Sequence, residues 1–359
     1  MAAVEIAETL VRDTKVAKRI NGYLIPKQGK SADQAFLKLS NVYSCIILDS
    51  EGRDVIAIAA LIRYSATQAY CTLAEVDERY REKLVRLDKS SAFGLTGGGS
   101  GSDGGSSQNH RGAQVCKWKE SEERDEPLYM IHYRHKSRPA LDQILETVVE
   151  QALGVFNLEL KKNVTIDLSA GEQRVWRDRI GFCVTDTREL AEFRLSAGWR
   201  LAQLLPPPAA PLLTVEKCQD DLAAIVHYDR QVCQVDRSEY LFFLAGLQGS
   251  DVFVARSSSA AGQQPEVVGY SVCLDGTILS LYADHQPAAS LLLRSSLAQA
   301  NGKPVTMTLV VGGWIHQLCQ QHPDLLIDQQ PVVRYHTTAP PKNIAWESVH
   351  VLNAGMHII

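Results

Sequence analysis

Residues 267–293, VVGYSVCLDGTILSLYADHQPAASLLL, constrain the fold more than any other stretch of this chain. Two apolar runs flank Asp275-Gly276, a pair suited to a two-residue hairpin turn that needs positive φ. The second run, 277–282, leads into the short polar loop Ala283-Asp284-His285-Gln286. Pro287 follows, and its missing N–H costs nothing in the first turn of a helix. Ala288, Leu291, Leu292 and Leu297 give that helix an apolar face. A strand delivered to the start of a helix is a generic anion seat, because the first amides lack intrahelical partners and the dipole favours negative charge.

With 359 residues the chain is too long for one ordinary core, so two domains are expected. The formal charge of −4 and the absence of a Lys/Arg block argue against a nucleic-acid surface. No apolar run is long enough to span a bilayer, and the first residues lack a basic-then-apolar leader pattern. The eight cysteines are scattered without a C-x-x-C pair, which fits reduced, packed thiols in a cytoplasmic or nuclear protein.

Taken in order, strands are expected at 43–48 and 55–64, around the turn Asp49-Ser50-Glu51-Gly52. Residues 70–76 read as a strand, and 77–87, DERYREKLVRL, carry the charge pattern of a surface helix. The Gly/Ser-rich run 95–112 reads as a disordered loop; no Lys-Ser/Thr follows it, as a phosphate cradle would need. Strands at 115–120 and 128–133 precede the basic loop 134–138. Then Leu141, Ile144, Leu145, Val148, Val149 and Ala152 form one stripe at helical spacing. A strand at 163–168 and a helix at 172–180 follow, and 181–204 reads as a polar run. The prolines at 206, 207, 208 and 211 cannot continue helix or sheet, so 205–212 is read as a linker. The expected domains are therefore 1–204, with the insertion 95–112, and 213–359. In the second, helices are expected near 220–228 and 237–247. A strand at 251–256 should pair with 267–274, and 305–309, 331–337 and 349–352 should close the sheet around a helix at 315–321.

Both halves thus repeat helices, antiparallel strands, a strand feeding a helix, another strand, a helix and closing strands. That order resembles the acyl-CoA-dependent N-acetyltransferase (GNAT) fold, and the second half resembles the YitH-type acetyltransferase domain. The residues that carry the likeness are Tyr228-Asp229-Arg230 and Asp236-Arg237 before Tyr240-Leu241, then Val268-Gly269-Tyr270. Leu281-Tyr282-Ala283-Asp284 with Ala288-Ala289, and Arg334-Tyr335, complete it. The resemblance implies an α+β fold of two tandem GNAT-like domains, each a mixed, mostly antiparallel sheet flanked by helices. In the first half the family's glycine-bearing loop is represented by Arg134, Ser137, Arg138 and Ala140, with Ser137 and Pro139 in the two glycine positions.

The same resemblance implies acetyl-CoA as cofactor and an amine as acceptor, either a small molecule or a protein lysine or N-terminus. Pantetheine would then pair beside 279–282, and the pyrophosphate would sit at Leu281, Tyr282, Ala283, Asp284, His285, Gln286, Ala288 and Ala289. Direct attack of a neutral amine on the thioester needs a base for the ammonium and an acid for the departing thiolate. His285 is the candidate base, since an ordinary imidazole suits proton transfer; its alternative reading is a solvent-facing loop histidine. Tyr282 could supply the acid or simply pack, and Asp229, Asp236 and Tyr240 flank the expected acceptor side. Both aspartates are alternatively helix caps or surface charges. His316, Cys319 and His322 are poorly aligned for a metal, and none is expected. The competing reading is a non-catalytic pair of degenerate acetyltransferase folds serving as a scaffold.

Overall fold

A computed structural model describes residues 39–48, 55–94 apart from 82, 113–119, 138–154, and 162–357 with breaks, the longest at 207–212 and 258–264. Two compact units divide the chain between Val164 and Thr165.

In the first unit the hydrophobic runs become strands β1 (Val42–Leu48), β2 (Val55–Arg63) and β3 (Gln68–Val76), an antiparallel meander. β5 (Ala113–Lys119) lies parallel to β1, and β4 (Leu84–Gly94) pairs antiparallel with β5. The expected surface helix at 77–87 is absent: only Glu78–Tyr80 forms a helical turn, capped by Asp77, before β4 begins. Val85, Leu87 and Phe93 in this run suit a strand, and pairing with β5 outweighs the charge pattern. The two-residue β6 (Arg138–Pro139) pairs with β4 and leads directly into α1 (Ala140–Leu153). The predicted stripe on α1 is buried at Ile144, Leu145, Val148, Val149 and Ala152 against β1, β2 and β3. Residues 95–112, 128–133, Arg134 and Ser137 lie outside the described residues.

The second unit takes in residues 165–169 of β7 (Asn163–Ser169) and the short β8 (Val184–Thr185). It continues with β9 (Leu190–Leu195), α2 (Gly198–Leu204), β10 (Leu213–Lys217), α3 (Leu222–Val232) and α4 (Ser238–Ala245). Then come β11 (Ser250–Ser257), β12 (Glu266–Leu274), β13 (Thr277–Ala283), α5 (Gln286–Gln299), β14 (Val305–Val310) and α6 (Trp314–Gln321). β15 (Leu326–His336) and β16 (Val349–Val351) close it. From α3 onward this is the order of helices and strands that the GNAT resemblance implies. The class is α+β, a mixed, mostly antiparallel sheet with helices against it.

The run 181–204, expected to be polar and irregular, supplies β9 and α2. β9 pairs antiparallel with β14 on one side and with β15 on the other. Leu190, Ala191, Phe193 and Leu195 are buried there, so the charged residues between them masked a central strand. Because residues 190–204 belong to this sheet and its core, the change of unit comes at 164/165 and not at the proline run.

The hairpin forms as expected. Asp275 and Gly276 have φ of 43° and 87°, the two positive values a tight two-residue turn needs, and a Cβ at Gly276 would lie 2.8 Å from the Pro304 carbonyl oxygen. α5 buries Ala288, Ala289, Leu292, Leu293 and Leu297 over β11, β12 and β13. Leu292 and Leu293 are fully buried, each contributing about 1.5–3 kcal/mol of transfer free energy. Together with Leu281, Phe193 and Met307 they form the core beneath the candidate site.

Candidate functional site

β13 is bent before it reaches α5. Its pairing with β12 jumps from Cys273↔Ile278 to Val272↔Ser280, leaving Leu279 as an extra residue, a β-bulge. On its other side β13 runs parallel to β14 only at Thr277↔Thr306 and Ile278↔Met307. Farther along, the two strands are no longer paired with each other. This gap is where the resemblance places pantetheine, along 279–282.

The gap is filled by the chain itself. β16 pairs with β13 at Leu281↔Val351 and Tyr282↔Val349, and Leu352 bridges to Thr308 of β14 with its amide 3.1 Å from the Thr308 oxygen. His350 is the residue skipped in that register. Its Nε2 lies 3.2 Å from the Ala283 oxygen, and its Nδ1 accepts from Trp314 Nε1 at 3.2 Å. Trp314 can only donate, so the proton sits on Nε2, which donates to the carbonyl. β13 therefore has β12 on one edge and β14 followed by β16 on the other. The edge along which the resemblance places pantetheine is paired with the chain's own backbone at Leu281 and Tyr282.

The helix start is similarly taken up. His285 is the N-cap of α5, and its Nδ1 accepts from Ala288 N at 3.2 Å. Ala289 N bonds the His285 oxygen at 3.1 Å, and Pro287 has no N–H. These bonds leave the first turn one amide, that of Gln286, for an anion. The exposed Asp284 carboxylate accepts from the Tyr228 hydroxyl at 2.8 Å and places negative charge where a pyrophosphate would come. Ala288 and Ala289, expected beside the cofactor, are packed in the core.

Asp229, Asp236 and Tyr240 each have polar partners within the fold, whereas the buried Tyr282 hydroxyl has no hydrogen-bond partner among the described residues. Tyr282 is buried, edge-on to Tyr270 at 5.2 Å with the Arg237 guanidinium 5.4 Å from its ring. Burial pushes its hydroxyl up to about 12, with Arg237 opposing. Asp229 is 1% exposed. It accepts from Arg237 Nε at 3.0 Å, forms a second, very short bond with Arg237 Nη2, and accepts from Tyr270 OH at 2.5 Å. Both its oxygens are engaged within the fold, by Arg237 and Tyr270. Asp236 accepts from Ser238 N at 3.0 Å and from Arg230 at 2.7 Å. Those Ser238 hydrogen bonds, before all else, hold its carboxyl below the usual range, the capping alternative. Tyr240 is buried, its hydroxyl accepting from Asn353 Nδ2 and its ring stacked on His357 at 4.3 Å.

Arg237, Tyr270, Asn353 and His357 complete the buried polar cluster. Arg237 Nη1 lies 3.5 Å from His357 Nδ1, which must accept because a guanidinium only donates. Burial first, and the Arg237 charge next, hold His357 well below its ordinary pKa, so it sits there neutral. The sequence named Arg237 and Tyr270 only as parts of motifs and gave Asn353 and His357 no signal, since their partners are more than 100 residues away. Away from this cluster, His316 Nδ1 accepts from Gly312 N at 3.3 Å, and burial pushes the Cys319 thiol up to about 12. Among the described residues no three His, Cys, Asp or Glu side chains converge as metal donors.

In the first unit, α1 begins at Ala140, which is buried, behind Pro139, an N-cap that offers no side-chain bond. Arg138 is placed by backbone pairing with Val85.

Residues 27–184 match the family described as Domain of unknown function (DUF7596). No curated protein matches the chain. Among solved structures the chain is similar to a candidate acetyltransferase from Pyrococcus horikoshii, with 11% identity, 85% of this chain and 76% of that one covered, and a TM-score of 0.46. It is also similar to a tandem GNAT protein from the clavulanic acid biosynthesis pathway, with 9% identity, 81% and 82% covered, and a TM-score of 0.42. A GCN5-related N-acetyltransferase from Anabaena variabilis aligns at 9% identity over 79% of this chain and 60% of that one, with a TM-score of 0.40.

Proposed function

We propose that the second unit is an acetyltransferase-type fold used for binding, with no thioester site of its own. One observation carries this reading: β16 occupies the edge of β13 along which an acyl-CoA would have to lie. The His285 cap and the Asp284 charge at the adjoining helix start support it. Hydrogen exchange of the intact chain with millimolar acetyl-CoA tests it. Amides at 279–289 should exchange at unchanged rates, and slowing confined to them would overturn the reading.

A second reading assigns acyl transfer from acetyl-CoA to an amine to the first unit. It is favoured by the start of α1, a helix N-terminus whose N-cap Pro139 makes no side-chain bond and which follows the basic run Arg134, Lys136 and Arg138 in sequence. There a base would take a proton from the ammonium, the neutral amine would attack the thioester carbonyl, the C–S bond would break, and the second amine proton would end on the departing CoA thiolate. Saturable slowing at 140–143 with acetyl-CoA is the expected result, and unchanged exchange there removes the reading. Among the described residues seven of the eight cysteines are free thiols, which fits a reducing compartment such as cytoplasm or nucleus. No described helix is long and apolar enough to cross a membrane.

A further inference from the structure

We infer that the gap between β13 and β14 is a binding site for an extended peptide, and that the chain's own residues 349–353, with His357, are its resident ligand. This rests on the reading above, that the gap takes no thioester. Recognition of an added strand divides into two parts: main-chain bonds that give affinity, and alternate side chains that give selectivity. Both are present.

The main chain of 349–352 bonds to strands on both sides, to β13 through Leu281 and Tyr282 and to β14 through Thr308. Val349 and Val351 are buried on one face, where β-branched residues suit a pleated, enclosed position. His350, on the other, is read at both nitrogens, by Trp314 and by the Ala283 carbonyl. Next, Asn353 donates to Tyr240, and four residues on His357 stacks on the same ring with its Nδ1 toward Arg237. Tyr240 and Arg237 are themselves fixed, the latter by the Asp229 carboxylate. The cleft therefore specifies an apolar β-branched pair around a histidine, then an amide side chain, then an imidazole. These are the features of a peptide ligand, and none is needed merely to end a sheet.

The test uses the whole chain with a protease site inserted beside the exposed Lys342, cut after folding, and a fluorescent synthetic peptide of residues 343–359 as probe. The cut protein should keep its segment on gel filtration and exchange it saturably for the probe. A probe with Asn353→Ala and His357→Ala should compete about tenfold more weakly, as expected for one lost aromatic stack and one buried hydrogen bond. Equal competition, or a segment that leaves and is not replaced, overturns the inference. In the uncut chain the same double substitution should speed exchange at 281–283 several-fold while leaving β11 unchanged, and equal rates at 281–283 would also overturn it. Acetyl-CoA that displaces the probe would instead sink the reading of the cleft on which the inference stands.

Discussion

A proline stands at the head of α1 in the first unit, as its N-cap, and of α5 in the second, as its second residue behind a histidine N-cap. The two junctions differ in how they are capped. At α5 the polypeptide spends the first amides: an imidazole caps one, a carbonyl takes another, and a carboxylate stands in front. At α1 the N-cap is itself a proline with no side-chain bond to give. The lesson is that Pro at the head of a helix fixes where the helix begins but not whether its dipole is available. That depends on the N-cap residue, a histidine at α5 and a proline at α1.

The largest effect should come from the support beneath the α5 junction. Arg237→Met leaves Asp229 buried without its partner, and should cost about 3–5 kcal/mol in urea unfolding of the second unit. A loss below about 1 kcal/mol would mean the pair does not hold this junction together. Next, Gly269→Ala would put a Cβ 2.6 Å from the Tyr282 backbone oxygen, so β12 and β13 must part, at a cost of about 1–3 kcal/mol. Hydrogen exchange at 281–283 should rise with it.

Capping sharpens the comparison directly. His285→Ala should destabilise the second unit by about 0.5–1 kcal/mol. Pro139→Ala removes no cap and should change the first unit by no more than a few tenths. Equal losses would erase the distinction between the two junctions.

Acid should act on the second junction through the closing strand. Burial lowers the pKa of both His350 and His357, the latter also facing the positive charges of Arg237 and Arg334. The unfolded chain then binds more protons than the folded one below about pH 6.5, so stability present above that pH is lost as pH falls. His357→Gln should flatten that slope in unfolding measured from pH 7.5 to 5.5. The smallest effect concerns thiols: exposed Cys183 should react with a thiol reagent while Cys273 and Cys319, both pushed up to about 12 by burial, stay silent until unfolding.

Much of the fold was legible where the signal is local. Asp275-Gly276 gave the hairpin, Pro287 the start of α5, and the spacing of Ile144, Leu145, Val148 and Val149 the buried face of α1. The candidate site was legible only as a place. Tyr282, Ala283 and His285 do lie at the end of β13, but Asp229, read as an amine holder, is bound to an arginine eight residues on. Nothing in the run 181–204 announced β9, because Arg188, Glu189, Glu192 and Arg194 mark a surface strand, while this one is covered on both edges.

By itself the sequence determined what neighbouring residues can settle among themselves: turns needing positive φ, helix starts, and stripes with a period of 3.6. Tertiary structure alone decided that β9 lies between β14 and β15, and that Val349–Val351 fills the opening beside β13. The reason is that a strand edge is chemically the same row of N–H and C=O groups wherever it occurs. Which segment satisfies it depends on what the rest of the fold brings within reach.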